Sequence, residues 1–207
     1  MSALILVDIQ NDFLPGGALS VPTGNEVIPV ANRLQPHFEM VVATQDWHPA
    51  NHGSFAVNYP GRKVGDVVVL NGLRQILWPV HCVQATDGAA FGKEVDTQKI
   101  ERIFPKGLDP GNADSYSGFF DNGLGRETGL KEYLRNRGAE VVFVMGLATD
   151  YCVKHTALDA ARLGFHTILI GDGCRGVNLQ PGHANQALEQ MRNAGVTVLR
   201  STEILKG

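Results

Sequence analysis

The chemistry in this chain starts at Cys152. It lies in residues 140–154, EVVFVMGLATDYCVK, where an apolar run gives way to the small-residue turn GLAT and then to a helical pattern that continues to about residue 163. A short, unbroken Val/Phe run suits a strand buried on both faces of a parallel sheet. Cys152 is therefore expected just past a strand end and near a helix start, where free backbone N–H groups and the helix dipole favour a thiolate and any oxyanion beside it. A cysteine in an Ala-rich helix also suits inert core packing, so its companions decide. Asp8 follows the apolar run 3–7, as a loop cap or as a functional carboxylate. Lys106 comes just beyond the predicted strand 99–104, after Pro105. The segment TQDWHPANHGSF puts Asp46, His48 and His52 within seven positions. As core filling each would need its own buried partner; exposed loop histidines are the alternative. Asp-x-His projects both side chains to one side of an extended segment. Pro79 prevents a regular helix around His81. If that loop folds back toward Asp46 and His48, three ligands of the types preferred by Zn²⁺ or Fe²⁺ converge.

The elements that must position these groups alternate along the chain. Strands are predicted over 3–7, 40–43, 99–104, 140–145, 167–170 and 196–199, with VVVL at 67–70 as a short edge strand. Helical spacing covers 23–38, 124–137, the segment after Cys152, and 182–194. The stretches DFLPGGALSVP and DPGNADSYSGFFDNG are loops, the second long enough for a binding role. The predicted fold is α/β: a doubly wound, mostly parallel, six-stranded Rossmann-like sheet with helices on both faces. Such sheets bind ligands outside the carboxyl ends of their strands. Asp8, Asp46, His48, Lys106 and Cys152 each follow a predicted strand, so one fold brings them to one edge.

Composition narrows the partners. At 207 residues the chain suits a single α/β domain. A formal charge of −3 without a Lys/Arg block argues against nucleic-acid or anionic-membrane partners. MSALILVDIQNDF reads as a strand and not as a signal peptide, and no stretch approaches a membrane span. Three widely spaced cysteines, Cys82, Cys152 and Cys174, argue against a disulfide framework and for a reducing cytoplasm. Cys174 reads as a buried residue or a simple loop thiol. Neither GxGxxG after the first strand nor a Walker motif is present.

In order along the chain, VDIQNDFLPGGAL, TQDWHPANHGSF, WPVHCV, FPKG, SYSGF and GLATDYCV resemble the motifs of the nicotinamidase/pyrazinamidase family, within the isochorismatase-like cysteine hydrolases. The resemblance implies one isochorismatase-like domain over 1–207 that converts nicotinamide to nicotinate and ammonia, or pyrazinamide to pyrazinoate, in NAD salvage. It implies a triad of Asp8, Lys106 and Cys152, and an oxyanion hole from the backbone N–H groups of Ala148 and Cys152 after a cis peptide at Leu147–Ala148. It further implies ring contacts from Phe13, Trp78 and Tyr116, and one divalent ion, zinc, iron or manganese, on Asp46, His48 and His81. His52, Ser54 or water is the fourth ligand. The least motif-like part is 62–75. The alternatives are a superfamily hydrolase for another small amide, carbamoyl or vinyl-ether substrate, and a non-catalytic α/β module. The expected partner is a small molecule, with room for a homo-oligomer.

Overall fold

The computed structural model describes residues 1–113, 115–121 and 126–206. Six strands form one parallel sheet: β1 (Ser2–Val7), β2 (Met40–Asp46), β5 (Ile100–Lys106), β6 (Val141–Leu147), β7 (His166–Arg175) and β8 (Thr197–Leu199), in the order β5-β2-β1-β6-β7-β8. The central strands are the apolar ones. Ala3 to Val7 are all buried, because a strand with neighbours on both sides and layers above and below meets no water.

The chain leaves β1 toward β2 on one side of the sheet centre and leaves β6 toward β7 and β8 on the other. Parallel crossovers are right-handed, so the two excursions put their helices on opposite faces. Helix α1 (Val27–Leu34) covers one face, and Arg33 donates to Ser201 Oγ at 3.1 Å to hold α5 (Ser201–Ile204) beside it. The other face carries α3 (Lys154–Arg162), α4 (His183–Asn193) and α2 (Leu130–Asn136), whose Arg135 donates to the Leu163 carbonyl at 2.7 Å. The reversal lies between β1 and β6. A crevice at such a switch point is where a doubly wound sheet binds its ligand.

Several boundaries differ from the sequence expectation. Strands β2 and β5 run on to Asp46 and Lys106, so these residues close their strands and do not follow them. Pro105 fits inside β5 because β5 is an edge strand with one side free of ladder bonds. The helix expected from residue 124 begins at Leu130, after Gly129 at φ +90°; residues 124 and 125 lie outside the described residues. Cys174 is in β7 and not in a loop. VVVL does form β3 (Val67–Leu70), but it pairs antiparallel with β4 (Leu73–Ile76) in a separate hairpin. The sequence reading missed β4, whose Arg74 and Gln75 obscure any strand pattern.

Candidate active site

The carboxyl ends of β1, β2, β5 and β6 deliver the reactive groups. Asp46 and Lys106 are direct neighbours in the β2–β5 register, which places a carboxylate against an ammonium. Thr44, two residues before Asp46 and on the same side of the strand, donates to Asp8 Oδ1 at 2.7 Å. Asp8 follows β1 in a left-handed conformation, φ 48°. Gly146 lets β6 approach β1 there: it has φ +127°, and a Cβ would overlap the Val7 backbone.

Lys106 is the hub. Its Nζ lies 2.9 Å from Asp8 Oδ2 and 3.4 Å from Cys152 Sγ, donates to the Ser115 carbonyl at 2.8 Å, and pairs with Asp46 Oδ1. Both Lys106 and Asp8 are fully buried. Burial by itself pulls the Lys106 ammonium down, but Asp46, Asp8 and the Cys152 sulfur outweigh it and hold the group well above its ordinary pKa. Burial pushes the Asp8 carboxyl up against the opposing pull of Lys106, with the Asp46 charge adding to the rise. The cap reading of Asp8 is set aside by these bonds: its carboxylate serves Thr44 and Lys106.

Cys152 lies in a π-type turn, Thr149–Val153, that precedes α3, and Ala148 O accepts the Tyr151 and Val153 N–H groups at 3.0 and 3.1 Å. Such turns recur at functional sites. The Leu147–Ala148 peptide is cis.

The histidines are oriented by backbone. His48 Nδ1 bonds the Gly107 carbonyl at 3.0 Å and His81 Nδ1 bonds the Pro79 carbonyl at 2.8 Å, which gives each Nδ1 the proton and turns Nε2 toward Asp46. The Nε2 atoms lie 3.7 and 4.0 Å from Asp46 Oδ2. Gly107, at φ +69°, accounts for the glycine of FPKG, since a Cβ there would overlap the His48 ring. Among the described residues these three ligand atoms lie within 4.8 Å of one another, and His52 is outside that set. Its ring centroid lies 4.3 Å from that of His48, with the two rings tilted by 37°, and its Nδ1 is 2.8 Å from Ser54 Oγ. Two imidazoles in the ligating tautomer and one carboxylate, all buried, are a donor set that fits a divalent ion.

A narrow cavity opens onto these groups. Cys152, Ala148, Asp46 and His81 reach it, as do Phe13, Trp78 and Tyr116. Trp78 Nε1 donates to Tyr116 Oη at 3.0 Å, so the two rings are fixed relative to each other. Tyr151 also lines the cavity and packs edge-on against Trp78 at 5.0 Å. Sequence reasoning missed Tyr151, whose only signal is adjacency to the thiol. It also missed Gln10, whose buried amide bonds Asp46 on both sides: Nε2 to the carbonyl and Oε1 from the N–H, each at 2.8 Å.

A family model described as the isochorismatase domain matches residues 2–203. The chain belongs to the isochorismatase family. A nicotinamidase of Escherichia coli (strain K12) is 49% identical over 206 residues, covering 95% of this chain and 93% of the relative. The solved structure of an Acinetobacter baumanii nicotinamidase/pyrazinamidase superposes with a TM-score of 0.94 at 44% identity, over 98% of this chain and 97% of that one. A Pyrococcus horikoshii pyrazinamidase solved with zinc gives 0.78 at 38% identity, over 96% and 98%. Within the isochorismatase family the chain therefore resembles the nicotinamidase/pyrazinamidase members, as the motifs imply.

Proposed function

We infer that this chain is a cysteine amidohydrolase that converts nicotinamide to nicotinate and ammonia and accepts pyrazinamide. The observation that carries the reading is the meeting of Cys152, Lys106 and Asp8 with the Asp46, His48 and His81 donors around one aromatic cavity. The nicotinamidases and pyrazinamidases to which it is similar over nearly its whole length support the substrate.

Asp8 takes the Cys152 proton while Lys106 stabilises the thiolate at 3.4 Å. A raised carboxyl pKa makes Asp8 a stronger base and lets it hold the proton until it is needed. Sulfur attacks the carboxamide carbon, and the backbone N–H groups of Ala148 and Cys152 receive the negative oxygen. The C–N bond breaks as Asp8 returns the proton to nitrogen, and ammonia leaves a thioester. Water, deprotonated by Asp8, adds to the thioester carbon; the C–S bond breaks, Asp8 returns that proton to the Cys152 sulfur, and the acid departs as nicotinate with loss of its carboxyl proton. Phe13, Trp78, Tyr116 and Tyr151 bind the flat ring against apolar surface. Asp46, His48 and His81 would hold one zinc, iron or manganese ion, and zinc in the Pyrococcus horikoshii relative supports the first. When bound, it would supply Lewis acidity for a ring nitrogen or for water. Cys82, Cys152 and Cys174 are buried and none is in a disulfide, which supports a reducing cytoplasm as the setting.

The test is to incubate the purified protein, loaded separately with zinc, iron and manganese, with nicotinamide. Ammonia and nicotinate should appear in equal amounts. No release from any of the three forms would overturn the reading.

A further inference from the structure

Asp12 is not among the residues that line the cavity. Its carboxylate nevertheless reaches across 70 positions to accept the Cys82 N–H at 2.7 Å, while its other oxygen accepts Ala18 N–H at 3.2 Å. Cys82 immediately follows His81 and has φ 46°, a left-handed conformation that a non-glycine residue adopts only when its surroundings impose it. The far side of the same residue carries the second connection: the Cys82 carbonyl accepts the His48 N–H at 2.9 Å, and the His48 carbonyl accepts Gln84 N–H at 2.8 Å. The Cys82 turn thus fixes the backbone of one histidine relative to the other. Asp12 bonds that turn at its N–H. Gly88 packs so closely on the Asp12 carboxylate that a Cβ would overlap it, which confines the carboxylate to this direction.

We propose that Asp12 is a positioning residue for the metal site, setting the distance between His48 and His81 through the strained Cys82 turn. It rests on the reading of Asp46, His48 and His81 as metal ligands. The gain is geometric: without the charge-assisted bond, Cys82 relaxes, and the two imidazoles lose the spacing that lets them share an ion.

Zinc dissociation constants of the metal-free full chain, measured by competition with a chromophoric chelator, test this alongside thermal melting. Asp12→Ala should weaken zinc binding by roughly 10–100-fold, the loss typical when a residue behind a metal ligand is removed. Asp12→Asn, which keeps an oxygen acceptor without the charge, should recover part of it and bind roughly three- to tenfold weaker than wild type. Asp172 is the control. It accepts Ser201 N–H and Oγ–H at 2.7 and 2.6 Å on the face that carries α5, so Asp172→Ala should lower the melting temperature with zinc affinity kept within about twofold. Zinc affinity within about twofold of wild type in both Asp12 variants would overturn the proposal, and in Asp12→Asn alone if the alanine variant does not fold. An equal loss in Asp172→Ala would overturn it too, because general loosening would then suffice. Wild-type protein that binds no zinc would refute the metal reading itself, a distinct result.

Discussion

Replacing Lys106 by methionine keeps most of the side-chain volume in an unbranched chain one atom shorter, and removes the charge and the donors. In the structure that ammonium pairs with two carboxylates, Asp8 at 2.9 Å and Asp46, and with the Ser115 carbonyl at 2.8 Å, all without exposure to water. Removing one partner of a buried ion pair costs about 3–5 kcal/mol, because the charge left behind stays desolvated. For a chain of this size that is a fall of about 6–20 °C in melting temperature. The deficit should also depend on pH. Burial and the Asp46 charge already raise the Asp8 pKa, and loss of the opposing Lys106 charge raises it further. A carboxyl whose folded pKa exceeds its unfolded value, about 3.9, stabilises the fold below that value and loses the contribution as pH rises through the folded pKa. Lys106→Met should therefore approach wild-type stability near pH 4 and show the full deficit near pH 8. Denaturant unfolding of metal-free wild type and variant across this range measures it. A deficit below about 1 kcal/mol at pH 8, or one of equal size at both ends, would show that Lys106 does not neutralise the two buried carboxylates.

Cys152→Ala should abolish turnover, whereas Cys82→Ser and Cys174→Ser should keep most of it; burial holds both of those thiols protonated at neutral pH, Cys174 with a pKa pushed up to about 12. Asp8→Asn should lower the single-turnover rate constant by several orders of magnitude, and Asp8→Asn with Lys106→Met should be little worse than the more damaging single change; additive losses would mean that the two act separately. Among four amides, nicotinamide and pyrazinamide should exceed benzamide and picolinamide in kcat/KM by roughly a hundredfold, about 2.7 kcal/mol, and the difference should vanish on chelation. Benzamide turned over as well as nicotinamide by the metal-loaded protein would leave ring packing as the source of specificity.

The unbroken apolar runs at β1 and β6 made the sheet legible, since only central strands of a parallel sheet tolerate them. Placing Asp8, Asp46, Lys106 and Cys152 at the ends of four predicted strands was enough to gather them at one edge, although Asp46 and Lys106 close their strands. The unread parts are those with no period. The Asp46–Lys106 pairing is a register between strands 60 positions apart, and Pro105 masked the end of β5 because proline argues against a strand unless the strand lies at an edge. The bonds of Gln10 to Asp46 and of Asp12 to Cys82 span 36 and 70 positions and leave no spacing to read. Tyr151 was hidden by the turn type: a π-type turn at Thr149–Val153 carries its ring into the cavity, and helical spacing does not foretell it.

The most direct measurement is to stop nicotinamide turnover with acid while it is under way, digest the protein and map the acylated peptide by mass spectrometry. The expected result is a nicotinoyl thioester on Cys152, absent from Cys152→Ala and cleared when turnover is allowed to finish. Turnover with no acyl group on Cys152 at any quench time, together with activity surviving in Cys152→Ala, would contradict nucleophilic attack by this thiol.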